Sequence, residues 1–265
     1  MSGIIQLSPF DLSLAALLVI ALAVVCRRLR LGVGGKLLWN ATRTVIQLSL
    51  IGFVLKALFA SSSPGWVALM AVIMLLGAGR EVRARQKNPL RGRWGFGVGL
   101  SAMFVSSFAV AVLALTIVVG PEPWYAPRYA IPLLGMLLGN TMNGLSLSLS
   151  HLTQNVRQNR AAIETRLALG QKKSEAIEDI RRESIRTGLI PIINSMAAAG
   201  LVSLPGMMTG QILAGNPPLD AVKYQILIMF LIAGGTGFGT LAAVWMTSHR
   251  LFDDRHRLRM DRLKG

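Results

Sequence analysis

The sequence is poor in nearly every residue that builds a soluble catalyst or a metal centre. Among 265 residues there is one cysteine, Cys26, and three histidines, and acidic side chains number 12 against 28 Lys and Arg. A lone cysteine excludes an intramolecular disulfide framework, and four Cys plus His are too few for a zinc ribbon or an iron–sulfur site. Charged residues make up 15% of the chain and apolar ones 52%, whereas soluble domains carry about 25% charged residues. The charge supply is therefore too small to coat a water-facing surface. No phosphate-binding loop is present: Gly32-Val33-Gly34-Gly35-Lys36 lacks the spacing, and Leu37 stands where a magnesium-binding hydroxyl is needed. ATP hydrolysis by this chain is excluded on that ground, and no enzymatic activity of its own is expected. No basic segment precedes the first apolar run, and Val25 before Cys26 is too large for a lipoprotein cleavage site, so no signal peptide is expected.

What the chain has instead is long charge-free runs. A bilayer-crossing helix needs about 20 mostly apolar residues. Candidate runs occur at Leu12 to Cys26, at Leu37 to Phe59, apolar apart from Arg43 and Lys56 near its ends, at the shorter Trp66 to Gly79, and at Gly95 to Val119, Tyr129 to Val156, Thr187 to Leu219 and Tyr224 to Ser248. The reading is an all-α, polytopic integral membrane protein with seven spans, forming one permease domain over residues 1–265. The net charge of +16 then acquires a location, because 24 of the 28 basic residues fall in alternate connecting segments. Lys and Arg are retained on the cytoplasmic side of short loops. The N-terminus is thus expected outside and the C-terminus, with a short basic tail at 249–265, in the cytoplasm. Basic clusters that punctuate apolar runs supply no continuous basic face on a soluble core, so no nucleic-acid partner is expected.

Acidic residues are missing from the middle of every run. Proton-driven carriers use intramembrane Asp, Glu or His, so coupling to an ion gradient has no support. The run from Thr187 to Leu219 would make about 50 Å of helix, well beyond a hydrocarbon core of about 30 Å. It contains Gly200 and Leu204-Pro205-Gly206, which predict a broken or re-entrant helix. Irregular backbone at membrane depth requires protein or a water-filled cavity beside it, which makes this break a candidate border of a translocation route. Met207 and Met208 follow it and read either as soft metal donors or as adaptable core packing. Asn140 and Asn143 share a helix face with Met136 and serve substrate contact or interhelical hydrogen bonding equally well. Arg43 and Gln47 make a second polar face, with Arg43 expected to snorkel to the cytoplasmic interface. Small-xxx-small pairs at Gly95/Gly99, Gly135/Gly139, Gly206/Gly210 and Gly235/Gly239 mark close packing, within the chain or between copies.

One connecting segment, Leu152 to Arg186, is long enough to do more than connect. Ile163 and Leu167 before Gly170, and Ile177 and Ile180 after it, give two short amphipathic helices joined by a glycine, a helical hairpin of mixed charge suited to a protein partner. Glu164-Thr165-Arg166-Leu167-Ala168-Leu169-Gly170 resembles the start of the coupling loop of ABC importer permeases. Gly200 to Gly210, Ala221 to Ile226, Gly135-Met136 and Gly139-Asn140 together resemble the FetB-type ABC permeases, a bacterial iron-export family with plant aluminium-tolerance relatives.

That resemblance implies a permease subunit that binds no cofactor itself and works with a separate ABC ATPase carrying ATP and Mg. It also implies two permeases plus two ATPases, a bacterial inner (plasma) membrane location, and export of iron or a related metal. Nucleotide-sugar (UDP-glucose) export within the same family, or a membrane scaffold that transports nothing, stays open as an alternative. The coupling residues carried over are Glu164, Arg166, Leu167 and Gly170. The candidate route comprises Gln47, Asn140, Asn143, Leu204, Pro205, Gly206, Met207 and Met208, with the two methionines as candidate metal donors.

Overall fold

The computed structural model describes residues 8–60 and 63–264, and its regular secondary structure is helical, with only isolated bridge pairs besides. The contacts divide the chain into two compact units, one of residues 1–62 with 213–216 and one of residues 63–212 with 217–265. In the first, α1 (Pro9–Arg28) packs against α2 (Gly34–Ala60). Ser8 caps α1: its hydroxyl accepts from the Asp11 amide while the Asp11 carboxylate accepts from the Ser8 amide, a reciprocal closure of two otherwise orphaned donors. The turn between the helices is tight, since a Cβ on Gly34 would lie 2.9 Å from the Ala23 carbonyl oxygen. Apolar side chains such as Phe10, Leu18 and Phe53 are exposed along this pair, as expected of helices whose solvent is lipid.

The second unit is built around α6 (Pro127–Gln158), which packs against α3 (Pro64–Arg85), α9 (Glu178–Ala198) and α11 (Pro218–Arg250). The run at 94–119 is continuous helix that changes its winding: α4 (Trp94–Met103) and α5 (Ala109–Leu113) alternate with π-helical turns at Phe104–Phe108 and Ala114–Val119. Helix contact in the centre depends on missing side chains. A Cβ on Gly188 of α9 would lie 2.8 Å from both the Gly144 carbonyl oxygen and Ser148 Cβ of α6, and 2.9 Å from Thr240 Cγ2 of α11. Backbones that approach this closely gain dispersion contact and weak Cα–H···O bonds, which hold helices together where lipid removes the hydrophobic drive.

Six helices among the described residues are long and apolar enough to cross a membrane: α1, α2, α3, the helix at 94–119, α6 and α11. The run from Thr187 to Leu219, counted as the sixth of seven spans and expected to be broken or re-entrant, is divided. The second half of α9 occupies its first part, residues 199–205 are irregular, α10 (Gly206–Leu213) is short, and a turn leads into α11. The break has a local cause. Gly200 adopts φ +84°, a conformation that side-chain-bearing residues avoid, and its amide donates to the Ser203 carbonyl at 2.9 Å, closing a turn that cannot continue the helix. Pro205 then blocks re-entry until α10 begins.

Candidate functional site

Two places in the second unit gather the residues singled out from the sequence. The first is the hairpin. α7 (Arg160–Ala168) and α9 meet through the short α8 (Lys173–Ala176), with Ile163 and Ile177 buried beneath them. Gly170 forms the tip at φ +89°. Its amide donates to the Leu167 carbonyl at 3.0 Å and the Gln171 amide to the Arg166 carbonyl at 3.1 Å, the paired bonds of a Schellman motif that satisfies the last carbonyls of α7. Arg166 ties the two arms together, donating to the Ala176 carbonyl at 3.2 Å and to Asp179 Oδ2 at 3.4 Å. Glu164 accepts from Arg160 Nε one turn earlier, at 2.7 Å. Leu167 is half-buried, and Leu169 beside the tip is 80% exposed. The result is a pinned hairpin with an apolar, outward tip.

The second place is the break. A cavity of about 430 Å³ lies between the end of α9, the irregular segment, α10 and α11, lined among others by Met196, Pro205, Met208, Gln225 and Met229. Its walls are largely apolar, and the Oε1 of buried Gln225 has no hydrogen-bond partner. Of the residues expected along the route, Pro205 and Met208 line this cavity; Leu204, Gly206 and Met207 are their chain neighbours and do not. Neither Asn140 nor Asn143 lines it. Asn140 Nδ2 donates to the Met136 carbonyl at 2.8 Å, and Asn143 Oδ1 accepts from Arg85 Nη1 of α3 at 2.6 Å. Gln47 is exposed on α2, in the first unit. The donors at the cavity are thus the thioethers of Met196, Met208 and Met229 with the Gln225 amide. Among the described residues no three His, Cys, Asp or Glu side chains come together.

Sequence reasoning missed three features. Gln225 was readable as a polar residue inside an apolar run. The Gly144–Gly188 contact, which brings two distant helices together, had no pattern to announce it. The basic tail also folds back: Lys264 N donates to the Pro89 carbonyl at 2.9 Å and Arg91 N to the Arg262 carbonyl at 2.7 Å, while Arg262 Nη1 donates to the carbonyls of Arg250 and Phe252 at the end of α11. Asp253 organises the turn, accepting from the Arg257 and Arg255 amides at 2.9 and 3.0 Å, and these bonds with the Arg257 guanidinium hold its carboxyl below the usual range. Arg259 grips Asp261 through two bonds of 2.9 Å and lowers its carboxyl to about 2.

Long apolar helices around a glycine-packed centre, with a charged hairpin projecting from one end, define a polytopic helical membrane protein. Residues 9–252 match the uncharacterised protein family UPF0014, and the chain belongs to that family. It is 41% identical to a UPF0014 membrane protein of Synechocystis over 86% of each chain. It is 33% identical to the probable iron export permease protein FetB of Escherichia coli K12 over 96% of each chain. The Arabidopsis thaliana protein ALUMINUM SENSITIVE 3 is 31% identical over 92% of this chain and 88% of its own. No solved structure matches.

Proposed function

We propose that the chain is the membrane subunit of an ABC transporter that exports iron or a related metal across the bacterial inner membrane, driven by ATP hydrolysis in a separate subunit. The observation that carries this reading is the likeness to the iron export permease along 96% of the chain. Two features of the geometry support it. The Arg166-braced hairpin with its exposed Leu169 offers a rigid contact for an ATPase, and it is covalently continuous with α9, which ends at the break and its cavity. In this reading α9's apolar half with α10 is a seventh, broken membrane segment, the N-terminus is outside and the C-terminus in the cytoplasm, which the distribution of Lys and Arg supports. Two permeases and two ATPases complete the assembly. ATP binding favours one of two conformations of the membrane part, and cargo crosses as the populations shift.

The test is transport in proteoliposomes containing the permease and a candidate ABC ATPase from the same organism. ATP-dependent movement of ferrous iron is expected, with Gly170→Arg abolishing both flux and ATPase co-purification while membrane insertion persists. Movement of a nucleotide sugar in place of iron would overturn the cargo, and undisturbed coupling in Gly170→Arg would overturn the hairpin's role.

A further inference from the structure

The lower ends of α9 and α11 run side by side and enclose two adjoining hollows that share one residue, Arg181. The first, of about 260 Å³, has mainly apolar walls that include Ile177 and Phe252, with Lys172, Lys173, Arg181, His249 and His256 set around them, and no carboxylate is among its lining residues. The second, of about 370 Å³, continues from Arg181 along Ile185, Leu241, Val244 and Trp245 and is almost wholly apolar. Arg181 Nε is buried without a hydrogen-bond partner. A buried donor left unpaired is costly, and a guanidinium fork is shaped for a phosphate. Three carboxylates close in sequence have partners of their own: Glu175 accepts from the Lys172 amide, Glu178 pairs with Arg182, and Asp253 with Arg257 and Arg259.

The order of these hollows along the helices identifies the ligand. Leu241, Trp245 and His249 lie on successive turns of one face of α11, so the apolar and cationic parts are separated by about 10 Å along the axis. The cationic part lies at the end of a membrane-length helix whose last turn carries His249 and Arg250. Trp245, whose ring lies 4.3 Å from that of His249, stands where the two parts meet, a common position for tryptophan at the membrane interface. A free anion would need the cationic hollow alone. An amphipathic anion, with a phosphate at one end and hydrocarbon at the other, uses both.

We propose that this bipartite groove binds an anionic phospholipid of the cytoplasmic leaflet, its phosphate on Arg181 with Lys172 and Lys173 and an acyl chain along Ile185, Leu241 and Trp245. Basic pockets between helices on the cytoplasmic side recognise such headgroups. The bound lipid bridges the hairpin to α11. This assignment rests on the proposed topology, in which the C-terminal end of α11 faces the cytoplasm, and is independent of the cargo.

The experiment is native mass spectrometry of the full chain purified in mild detergent, presented with an equimolar mixture of phosphatidylglycerol and phosphatidylcholine of identical acyl chains. The wild type should retain phosphatidylglycerol in at least about tenfold preference, the scale of one charge-assisted bond. Arg181→Gln and the double variant Lys172→Gln/Lys173→Gln should each bring the ratio close to one. Leu241→Trp, which fills the apolar groove and leaves every charge in place, should weaken binding of the lipid. Equal retention of the two lipids overturns the proposal. So does competition by free glycerol phosphate at concentrations matching the lipid, or indifference to Leu241→Trp, since either reduces the site to a simple anion pocket. Should Arg181→Gln fail to fold, the lysine pair and Leu241→Trp decide the question.

Discussion

Substitution of Gly188 by alanine tests the packing on which the second unit depends. The added methyl would meet Gly144 O and Ser148 Cβ at 2.8 Å and Thr240 Cγ2 at 2.9 Å, against ordinary contact at 3.4 Å or more. Two of these atoms are fixed to the frame of α6, so rotamer changes cannot relieve them. α9 must retreat by about 0.6 Å, the difference between the two contact distances. Overpacking of this kind costs about 1–3 kcal/mol, offset by up to ~1 kcal/mol for replacing glycine in a helix. A net destabilisation of up to about 2 kcal/mol follows. Gly97→Ala is the control, because no atom lies within 4 Å of its Cβ position; it should gain up to ~1 kcal/mol from helix propensity alone. The two variants should therefore differ by the overpacking cost, about 1–3 kcal/mol, or roughly 2–12 °C in Tm at 2–4 °C per kcal/mol, read by tryptophan fluorescence during thermal unfolding in a mild detergent. If Gly188→Ala melts at or above Gly97→Ala, the close approach of α6, α9 and α11 is refuted.

Three further outcomes follow from the geometry. Gly170→Ala places a side chain at φ +89° in open space, a strain of about 1–2 kcal/mol without a clash; hydrogen exchange should quicken at residues 160–177 while the membrane helices are unchanged. Asp253 and Asp261 both have carboxyls depressed below the ordinary aspartate range, Asp261 to about 2. A depressed folded-state pKa contributes stability above the unfolded value that is lost as pH falls through the folded one. The fold-back of residues 253–264 should thus hold at neutral pH and loosen between about pH 4 and pH 2. Limited pepsin digestion across that range checks this, and persistence of the tail at pH 2 would count against it. Gln225→Leu removes a buried, unpaired amide oxygen and should leave stability unchanged or raise it by up to about 2 kcal/mol. If the cavity lies on the transport route, the same variant lowers flux, and a thermal shift measured beside a flux assay separates the two effects.

The membrane helices were legible because their signal is local. Absence of charge over 15 and 25 residues marked Leu12 to Cys26 within α1 (Pro9–Arg28) and Tyr224 to Ser248 within α11 (Pro218–Arg250), the helices running a few residues further into polar flanks. The break was equally local, written in Gly200 and Pro205. Pairings between distant residues were not. The small-xxx-small rule marked Gly239, where a Cβ would lie 2.7 Å from Ser106 Oγ, but also Gly206 and Gly210, which have nothing within 4 Å. It could not mark Gly144 against Gly188, because each helix contributes one glycine and the pattern reads only one helix at a time. For the same reason Asn143 looked free until α3 brought Arg85 to it at 2.6 Å. The tail's arginines carried an orientation signal so strong that it hid their second use, capping the carbonyls of Arg250 and Phe252.

α9 connects the two candidate places mechanically. Its 21 residues, Glu178–Ala198, make a rod of about 30 Å, with the hairpin at one end and the break at the other. Gly188 lies at its midpoint, wedged between α6 and α11 without a side chain to spread the contact. A rod held at its centre turns about that point, so displacement of the hairpin in one direction carries residues 196–198 in the opposite one. Two groups act against free rotation on the hairpin side: Ser184 Oγ, 3.0 Å from His151 Nδ1 of α6, and Arg181 with whatever anion occupies its groove. On the far side Pro191 removes a helix bond, so the segment leading to Met196 and the cavity bends more readily than the segment leading to the hairpin. Force applied at Leu169 is therefore delivered through a stiff arm and absorbed in a compliant one, and the compliant arm lines the cavity.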